Sequence, residues 1–244
     1  MRPLIGVLGV IAFVAIAVVA TAGRNGSVLA VPATTPTPRA TPLAVPSSQL
    51  GPQASPQLGP APSPETLATH VRLVRGFRYP ISGVDLPEGE SYLPNSPREY
   101  RAGYHEGVDF PVAAGAPVLA AKDGHIVRID QDFTDWSEIE RNAALADTLA
   151  LGYTPERTLD RIRGRQVWID HGDGIVTRYA HLESVGRMQV GAYVEAGTVI
   201  GEVGSSGLPE GGPHLHFEIR LGDGFYGDGL PGPQLHYALA AAFR

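Results

Sequence analysis

The residues whose types and spacing best suit metal binding or catalysis are two histidines, His214 and His216, in the segment Gly-Pro-His-Leu-His-Phe-Glu. Side chains alternate between the two faces of a strand, so both imidazoles would project from one face while Leu215 and Phe217 point to the other. Two convergent imidazoles are suited to binding a metal ion. A pair of solvated histidines on an exposed strand is an equally open alternative when the motif is taken alone.

Two other segments supply donors of the same kind. His105 and Asp109 place an imidazole and a carboxylate four residues apart, and Gly107 between them allows the backbone to fold both side chains toward one point. His181 follows another strand-like run, in the sequence Tyr-Ala-His-Leu. Imidazole nitrogens and carboxylate oxygens are ligands that zinc accepts, so the three segments together indicate a metal site.

These segments resemble the lysostaphin/LytM-type zinc metallopeptidases, bacterial endopeptidases that cut peptide cross-links in peptidoglycan. The resemblance rests on His-x-x-x-Asp, Tyr-x-His-Leu and Gly-Pro-His-Leu-His-Phe-Glu. It extends to the segments around and between these motifs, such as Gly-Val-Asp-Phe at 107–110 and Ala-Gly-Thr-Val-Ile-Gly at 196–201. The matching motifs follow in the same order from Phe77 to Arg220.

The resemblance implies both an activity and a set of site residues. It implies a single zinc ion bound by His105, Asp109 and His216, with His181 and His214 beside the metal as catalytic residues. One spare imidazole would take a proton from water and the other would stabilise the oxyanion or protonate the leaving amine, in an order that the sequence leaves open. The implied reaction is hydrolysis of peptide cross-links or stem peptides of peptidoglycan.

A function from a different class is the alternative. Relatives of this fold that have lost metal ligands act as catalytically silent wall-binding modules or as activators of other cell-wall hydrolases. All five positions of the implied site are intact in this sequence, which favours the enzyme.

Short β-like runs separated by glycine-rich turns predict the fold. Few gaps are long enough for crossover helices, so we expect a mainly β protein with an antiparallel sheet or sandwich. The resemblance implies the duplicated hybrid motif fold of the family. The predicted strands are 118–121, 125–129, 166–170, 175–179, 198–203 and 214–220.

A long insertion, residues 131–163, stands where the family usually has a short turn. Apolar residues recur at helical spacing from Ile139 to Ala150, and Thr154-Pro155-Glu156 is typical of a helix start. We therefore expect a helical hairpin that protrudes from the sheet. A lid, a specificity wall or a docking site for a regulatory protein partner is one interpretation, and a decoration without function is the other.

The first 65 residues differ in composition from the rest. Residues 4–22 carry no charge and are long enough to span a bilayer, but Ala20-Thr21-Ala22 also suits a cleavage site, so residues 1–22 are either an anchor or a signal peptide. Residues 23–65 are rich in proline and predict a disordered linker. In both cases residues 66–244, the expected metallopeptidase domain, would be exported, either anchored facing outward or secreted to the cell wall.

Charge and cysteine content limit the partners and the metal ligands. The net charge is -6, and residues 1–64 contain three arginines and no acidic residue, so the acidic excess lies in the expected domain. This argues against nucleic acid as a partner. The resemblance implies peptidoglycan peptides as the partner, and membrane contact is expected only through an uncleaved N-terminal segment. The chain has no cysteine, so zinc ligands are limited to imidazole and carboxylate groups.

Overall fold

The computed structural model describes residues 74–244. The predicted anchor or signal peptide at 1–22 and the predicted linker at 23–65 lie outside this range. Within the described residues, no helix has the length and apolar character needed to cross a membrane.

Residues 74–244 form twelve strands and three α-helices. The strands are β1 (Pro97–Arg98), β2 (Gly103–Tyr104), β3 (Val108–Phe110), β4 (Pro117–Leu119), β5 (Gly124–Ile129), β6 (Val167–Asp170), β7 (Ile175–Ala180), β8 (Leu182–Val185), β9 (Tyr193–Val194), β10 (Val199–Val203), β11 (Leu215–Leu221) and β12 (Gly224–Phe225). The helices are α1 (Glu138–Leu151), α2 (Glu156–Arg163) and α3 (Gly232–Ala242), with single 3-10 turns at Glu90–Tyr92, Glu99–Arg101 and Pro209–Gly211.

All strand pairs are antiparallel, as expected for a mainly β chain with short connections. The largest sheet has the order β12-β11-β7-β6-β5-β9, and β3 also pairs with β11. A three-stranded sheet has the order β4-β10-β8, and β1 pairs with β2. The six predicted strands correspond to β4, β5, β6, β7, β10 and β11, which confirms the predicted fold class for this part of the chain.

Both larger sheets contribute to a single hydrophobic core. Along β11, Leu215, Phe217 and Ile219 are buried in this core, so alternate positions, including His216 and Glu218, face the opposite side of the sheet. Each fully buried large apolar side chain contributes roughly 1.5–3 kcal/mol relative to exposure. The core therefore fixes the register of β11 and with it the direction of the histidines.

The insertion forms the two predicted helices, but it does not protrude as a unit. In α2, Leu159 and Ile162 are three positions apart on one face, and both are buried. In α1 the apolar stripe lies at the surface, where Ile139 is 83% exposed, and the buried positions are Arg141 and Thr148. The second helix is therefore embedded beside the sheet, while the first carries an apolar face that is open to solvent.

Candidate metal centre

Strand β11 is the element that assembles the site. In the antiparallel register, His216 lies opposite Asp109 on β3 and opposite Ala180 on β7. Directly opposed residues on neighbouring strands have Cβ atoms about 4.5–5.5 Å apart, so this pairing alone brings His216 close to Asp109. His181 follows β7 directly, and His214 immediately precedes β11, where it forms an isolated bridge with Gly204.

Gly107 allows the segment from His105 to Asp109 to lie against β11. A Cβ atom at position 107 would be 2.4 Å from the backbone oxygen of Phe217, a distance that no side chain tolerates. The glycine is therefore required for a close approach between two backbone segments rather than for a special turn conformation.

Three donor atoms converge at one point. His105 Nε2 lies 2.9 Å from both Asp109 Oδ1 and His216 Nδ1, and His216 Nδ1 lies 2.8 Å from Asp109 Oδ1. His105 and His216 are buried, with exposures of 2% and 6%. These three residues are the set that the sequence resemblance implied as ligands.

Hydrogen bonds on the far side of the His105 and His216 rings orient the other nitrogen of each ring toward Asp109. His105 Nδ1 donates to the carbonyl of Leu93 at 3.0 Å, and His216 Nε2 donates to Glu218 Oε1 at 3.0 Å. In the neutral tautomers, Nε2 of His105 and Nδ1 of His216 therefore carry no proton. Two nitrogen lone pairs and a carboxylate oxygen then face one another, an arrangement that a cation stabilises.

Carboxylates make the site attractive to positive charge. Burial opposes the charged form of His216, but hydrogen bonds to Asp109 and Glu218 outweigh it and raise the pKa of His216 to about 9. Burial also disfavours the ionised form of Asp109, yet the neighbouring imidazoles of His105 and His216 hold the pKa of Asp109 well below its usual range. For His105, burial is the dominant effect and lowers the pKa.

Arg98 holds the second oxygen of Asp109. Its guanidinium donates to Asp109 Oδ2 at 3.0 Å, to the hydroxyl of Ser96 at 3.0 Å and to the carbonyl of Ser91 at 3.0 Å. Because Oδ2 is occupied in this way, Oδ1 is the oxygen that faces the two imidazoles.

His181 and His214 lie beside the triad. His181 Nδ1 donates to the carbonyl of Ser206 at 2.8 Å, and His214 Nδ1 donates to the carbonyl of Gly212 at 2.8 Å, so Nε2 is the free nitrogen of each neutral ring. Burial, reinforced by the nearby imidazoles, lowers the pKa of His181 to about 3. His181 also adopts a left-handed backbone conformation with φ of 60°, which is uncommon outside glycine and often marks functional positions.

A second group of possible ligands, Glu106, His216 and Glu218, lies within the described residues. Its carboxylates already have cationic partners, because Arg101 donates to Glu106 Oε2 at 2.8 Å and Arg163 donates to Glu218 Oε1 at 2.6 Å. Arg163 occupies the same oxygen of Glu218 that faces His216, whereas Arg98 contacts the outer oxygen of Asp109 and leaves Oδ1 facing the imidazoles. The triad of His105, Asp109 and His216 is therefore the better candidate for a cation.

The donors open onto a cleft with a volume of about 290 Å³. Its walls come from the loop before His105, from α2 and from the segment before β11. The apolar and aromatic residues of these walls are Tyr92, Tyr100, Leu159, Ile162, Leu208 and Pro213.

Comparison with known proteins decides the family. Residues 103–228, more than half of the chain, match the profile of Peptidase family M23. The chain belongs to peptidase family M23. The matched region contains the three proposed ligands, the two flanking histidines and the complete insertion, and it confirms the resemblance to lysostaphin/LytM-type peptidases.

Three curated relatives illustrate the extent of similarity to known proteins. DD-carboxypeptidase/endopeptidase Mpg of Neisseria meningitidis serogroup B is 33% identical over 142 residues, which cover 57% of this chain and 26% of Mpg. Peptidoglycan DD-endopeptidase ShyA of Vibrio cholerae is 31% identical over 119 residues, which cover 49% of this chain and 21% of ShyA. Lysostaphin of Staphylococcus simulans is 32% identical over 132 residues, which cover 54% of this chain and 21% of lysostaphin. The chain thus spans well under half the length of these relatives.

The structure brings together all five residues implied by the sequence and adds others that the sequence motifs did not identify. Arg98 contacts the outer oxygen of Asp109, and Arg163 contacts Glu218 from the end of α2. Glu218 was recognisable as a supporting residue because it lies two positions after His216 on the same strand face. By contrast, His171 bonds to the carbonyl of Asp123 and lies outside the site.

Proposed function

We propose that the protein is a zinc-dependent endopeptidase that hydrolyses peptide cross-links or stem peptides of bacterial peptidoglycan. The observation that carries the proposal is the convergence of His105, Asp109 and His216 in a cleft that also holds His181 and His214. Membership of peptidase family M23 supports peptide hydrolysis, and a peptidoglycan endopeptidase among the relatives supports this substrate class.

The donor set fits zinc. Catalytic zinc sites commonly use three protein ligands drawn from imidazoles and carboxylates, and His105, Asp109 and His216 would supply them. A bound zinc ion would polarise the scissile carbonyl and activate a water molecule near neutral pH. Arg98 and Glu218 would hold two of the ligands in orientation, since each contacts the outer atom of a ligand side chain.

The two remaining histidines would move protons and stabilise charge. His181 is the proposed acceptor of the proton from water, because its hydrogen bond to Ser206 leaves Nε2 free and burial keeps the ring neutral. His214 would stabilise the developing oxyanion or deliver a proton to the leaving amine through its own free Nε2.

The cleft walls suit a peptide substrate. Tyr92 and Tyr100 are each 39% exposed on one wall, and the buried side chains of Leu159 and Ile162 belong to another. Such a mixture of aromatic and aliphatic surface can orient a short peptide over the donor atoms. A peptidoglycan substrate would place this domain outside the cytoplasmic membrane, either secreted or held there by the N-terminal segment.

The test is digestion of purified sacculi of several cross-link types, with mass spectrometry of the released fragments. We expect newly released peptide termini that disappear after chelation and return when zinc is added. Zinc-loaded protein that binds sacculi and releases no fragment would contradict the proposal and would support the silent wall-binding module instead.

A further inference from the structure

The last residue of the insertion reaches the candidate metal centre. Arg163 ends α2, is 2% exposed, and directs Nε to Glu218 Oε1 at 2.6 Å. A second nitrogen of the same guanidinium donates to Glu156 Oε1 at 3.0 Å, on the first turn of the same helix. The Arg163 side chain is therefore held from both sides, and its orientation is set by α2.

Glu218 links Arg163 to a proposed zinc ligand. The oxygen that accepts from Arg163 also accepts from His216 Nε2 at 3.0 Å, and Glu218 itself is completely buried. Arg220 contacts the other oxygen, Oε2, at 3.3 Å, and Arg178 lies 3.6 Å from it. Arg163 is thus the arginine that shares a carboxylate oxygen with the ligand imidazole.

The same helix end also contacts the proposed catalytic histidine. The backbone N–H of His181 donates to the carbonyl of Arg163 at 2.8 Å. Close packing locks this helix end in place, because a Cβ atom at Gly207 would lie 2.3 Å from the carbonyl oxygen of Ile162. The end of α2 therefore contacts Glu218, which supports His216, through the side chain of Arg163. It contacts His181 through the backbone.

We infer that Arg163 is a positioning residue for the metal centre and that the end of α2 supports the site. Arg163 fixes Glu218, and Glu218 fixes the ring of His216 so that Nδ1 points toward Asp109 and His105. This inference rests on the proposed function, because it assigns Arg163 a role in zinc binding. Removal of a residue that hydrogen-bonds to metal ligands and orients them typically lowers metal affinity by about 10–100-fold.

The experiment measures the dissociation constant of zinc alone, by competition with a chromophoric chelator, in the full chain and in Arg163→Gln. The matched control is Arg157→Gln, which removes an exposed arginine from the same helix. We expect affinity to fall by about 10–100-fold in Arg163→Gln and to stay at the wild-type value in Arg157→Gln. Arg163→Lys should fall between them, because lysine keeps the charge but lacks the planar guanidinium.

A double variant separates positioning from general damage. Arg163→Gln removes the arginine that makes the shortest hydrogen bond to buried Glu218, and the uncompensated carboxylate destabilises the fold. The variant with both Arg163→Gln and Glu218→Gln removes both charges. If Arg163 acts through Glu218, the double variant should bind zinc as tightly as Glu218→Gln alone, so the two effects are not additive. Thermal unfolding of the metal-free forms reports whether each variant is folded.

The outcomes are distinct from those of the proposed function. Wild-type zinc affinity in folded Arg163→Gln or Arg163→Lys, or full additivity in the double variant, would overturn the assignment of Arg163. A wild-type protein that binds no zinc would overturn the proposed function as well. Zinc binding that responds as expected in a protein that cleaves no sacculi would retain the Arg163 assignment and reject only the proposed activity.

Discussion

The rings of His181 and His214 lie with their centroids 4.5 Å apart, and His214 Nε2 lies 3.8 Å from Asp109 Oδ1. Each ring donates Nδ1–H to a backbone carbonyl, so both present Nε2 as the free nitrogen. The two imidazoles therefore flank the donor triad without being members of it. In the proposed mechanism this arrangement would separate metal binding from proton transfer, so the two roles can be tested one at a time.

Replacement of either flanking histidine should spare the metal and remove activity. We expect His181→Ala and His214→Ala to retain zinc while the release of fragments from sacculi falls by about 10²–10⁴-fold, as is typical when a general acid or base is lost. Metal analysis and fragment release on the same preparations measure the two quantities. Normal turnover in either variant would exclude that residue from the mechanism, and loss of zinc would identify it as a ligand.

The two helices of the insertion should respond differently to the same substitution. Ile162→Ala removes a side chain that is 4% exposed and should lower the free energy of unfolding by about 2–5 kcal/mol. Ile139→Ala, on the solvent-facing stripe of α1, should change it by no more than about 0.5 kcal/mol. Urea unfolding of the metal-free forms compares them. Equal losses would mean that α1 is packed as tightly as α2.

A histidine away from the site provides a pH-dependent prediction. Burial lowers the pKa of His171, whose ring bonds to the carbonyl of Asp123 and the hydroxyl of Thr177. As the pH falls below the ordinary histidine value of about 6.5, the unfolded chain binds a proton at this position more readily than the folded chain. The stability that neutral His171 contributes should therefore be lost on acidification.

The comparison of wild type with His171→Gln isolates this effect. The difference in the free energy of unfolding between the two proteins should be largest at pH 7 to 8 and should shrink toward pH 5. Unfolding curves at several pH values provide the measurement. A difference that stays constant over that range would show that the pKa of His171 is the same in the folded and unfolded states.

Much of the site was predictable because it depends on local rules. Alternation along a strand predicted His214 and His216 on one face and Leu215 and Phe217 on the other. In the structure Leu215 and Phe217 belong to the hydrophobic core, whereas His216 contacts Asp109 in the donor triad. Turn residues and short apolar runs likewise predicted the antiparallel sheets. Each of these signals is contained within a few consecutive residues.

The remaining contacts depend on tertiary packing and leave no local pattern. Arg163 and Glu218 are 55 positions apart, and the helix spacing that predicted α2 contains no information on which strand its last residue meets. The apolar stripe of α1 was read correctly as helical, but spacing alone does not reveal whether such a stripe faces a core or solvent. Here the stripe faces solvent, and Ile139 is its most exposed large apolar residue.

The most direct test of the account is the zinc content of wild-type protein, Asp109→Ala and His216→Ala, measured by elemental analysis after dialysis. His125→Ala serves as the control, because His125 is an exposed histidine whose ring contacts Tyr193 outside the cleft. We expect about one zinc per chain in the wild type and in the control, and almost none in the two ligand variants. Zinc retained at the wild-type level in both Asp109→Ala and His216→Ala would contradict the proposed metal centre.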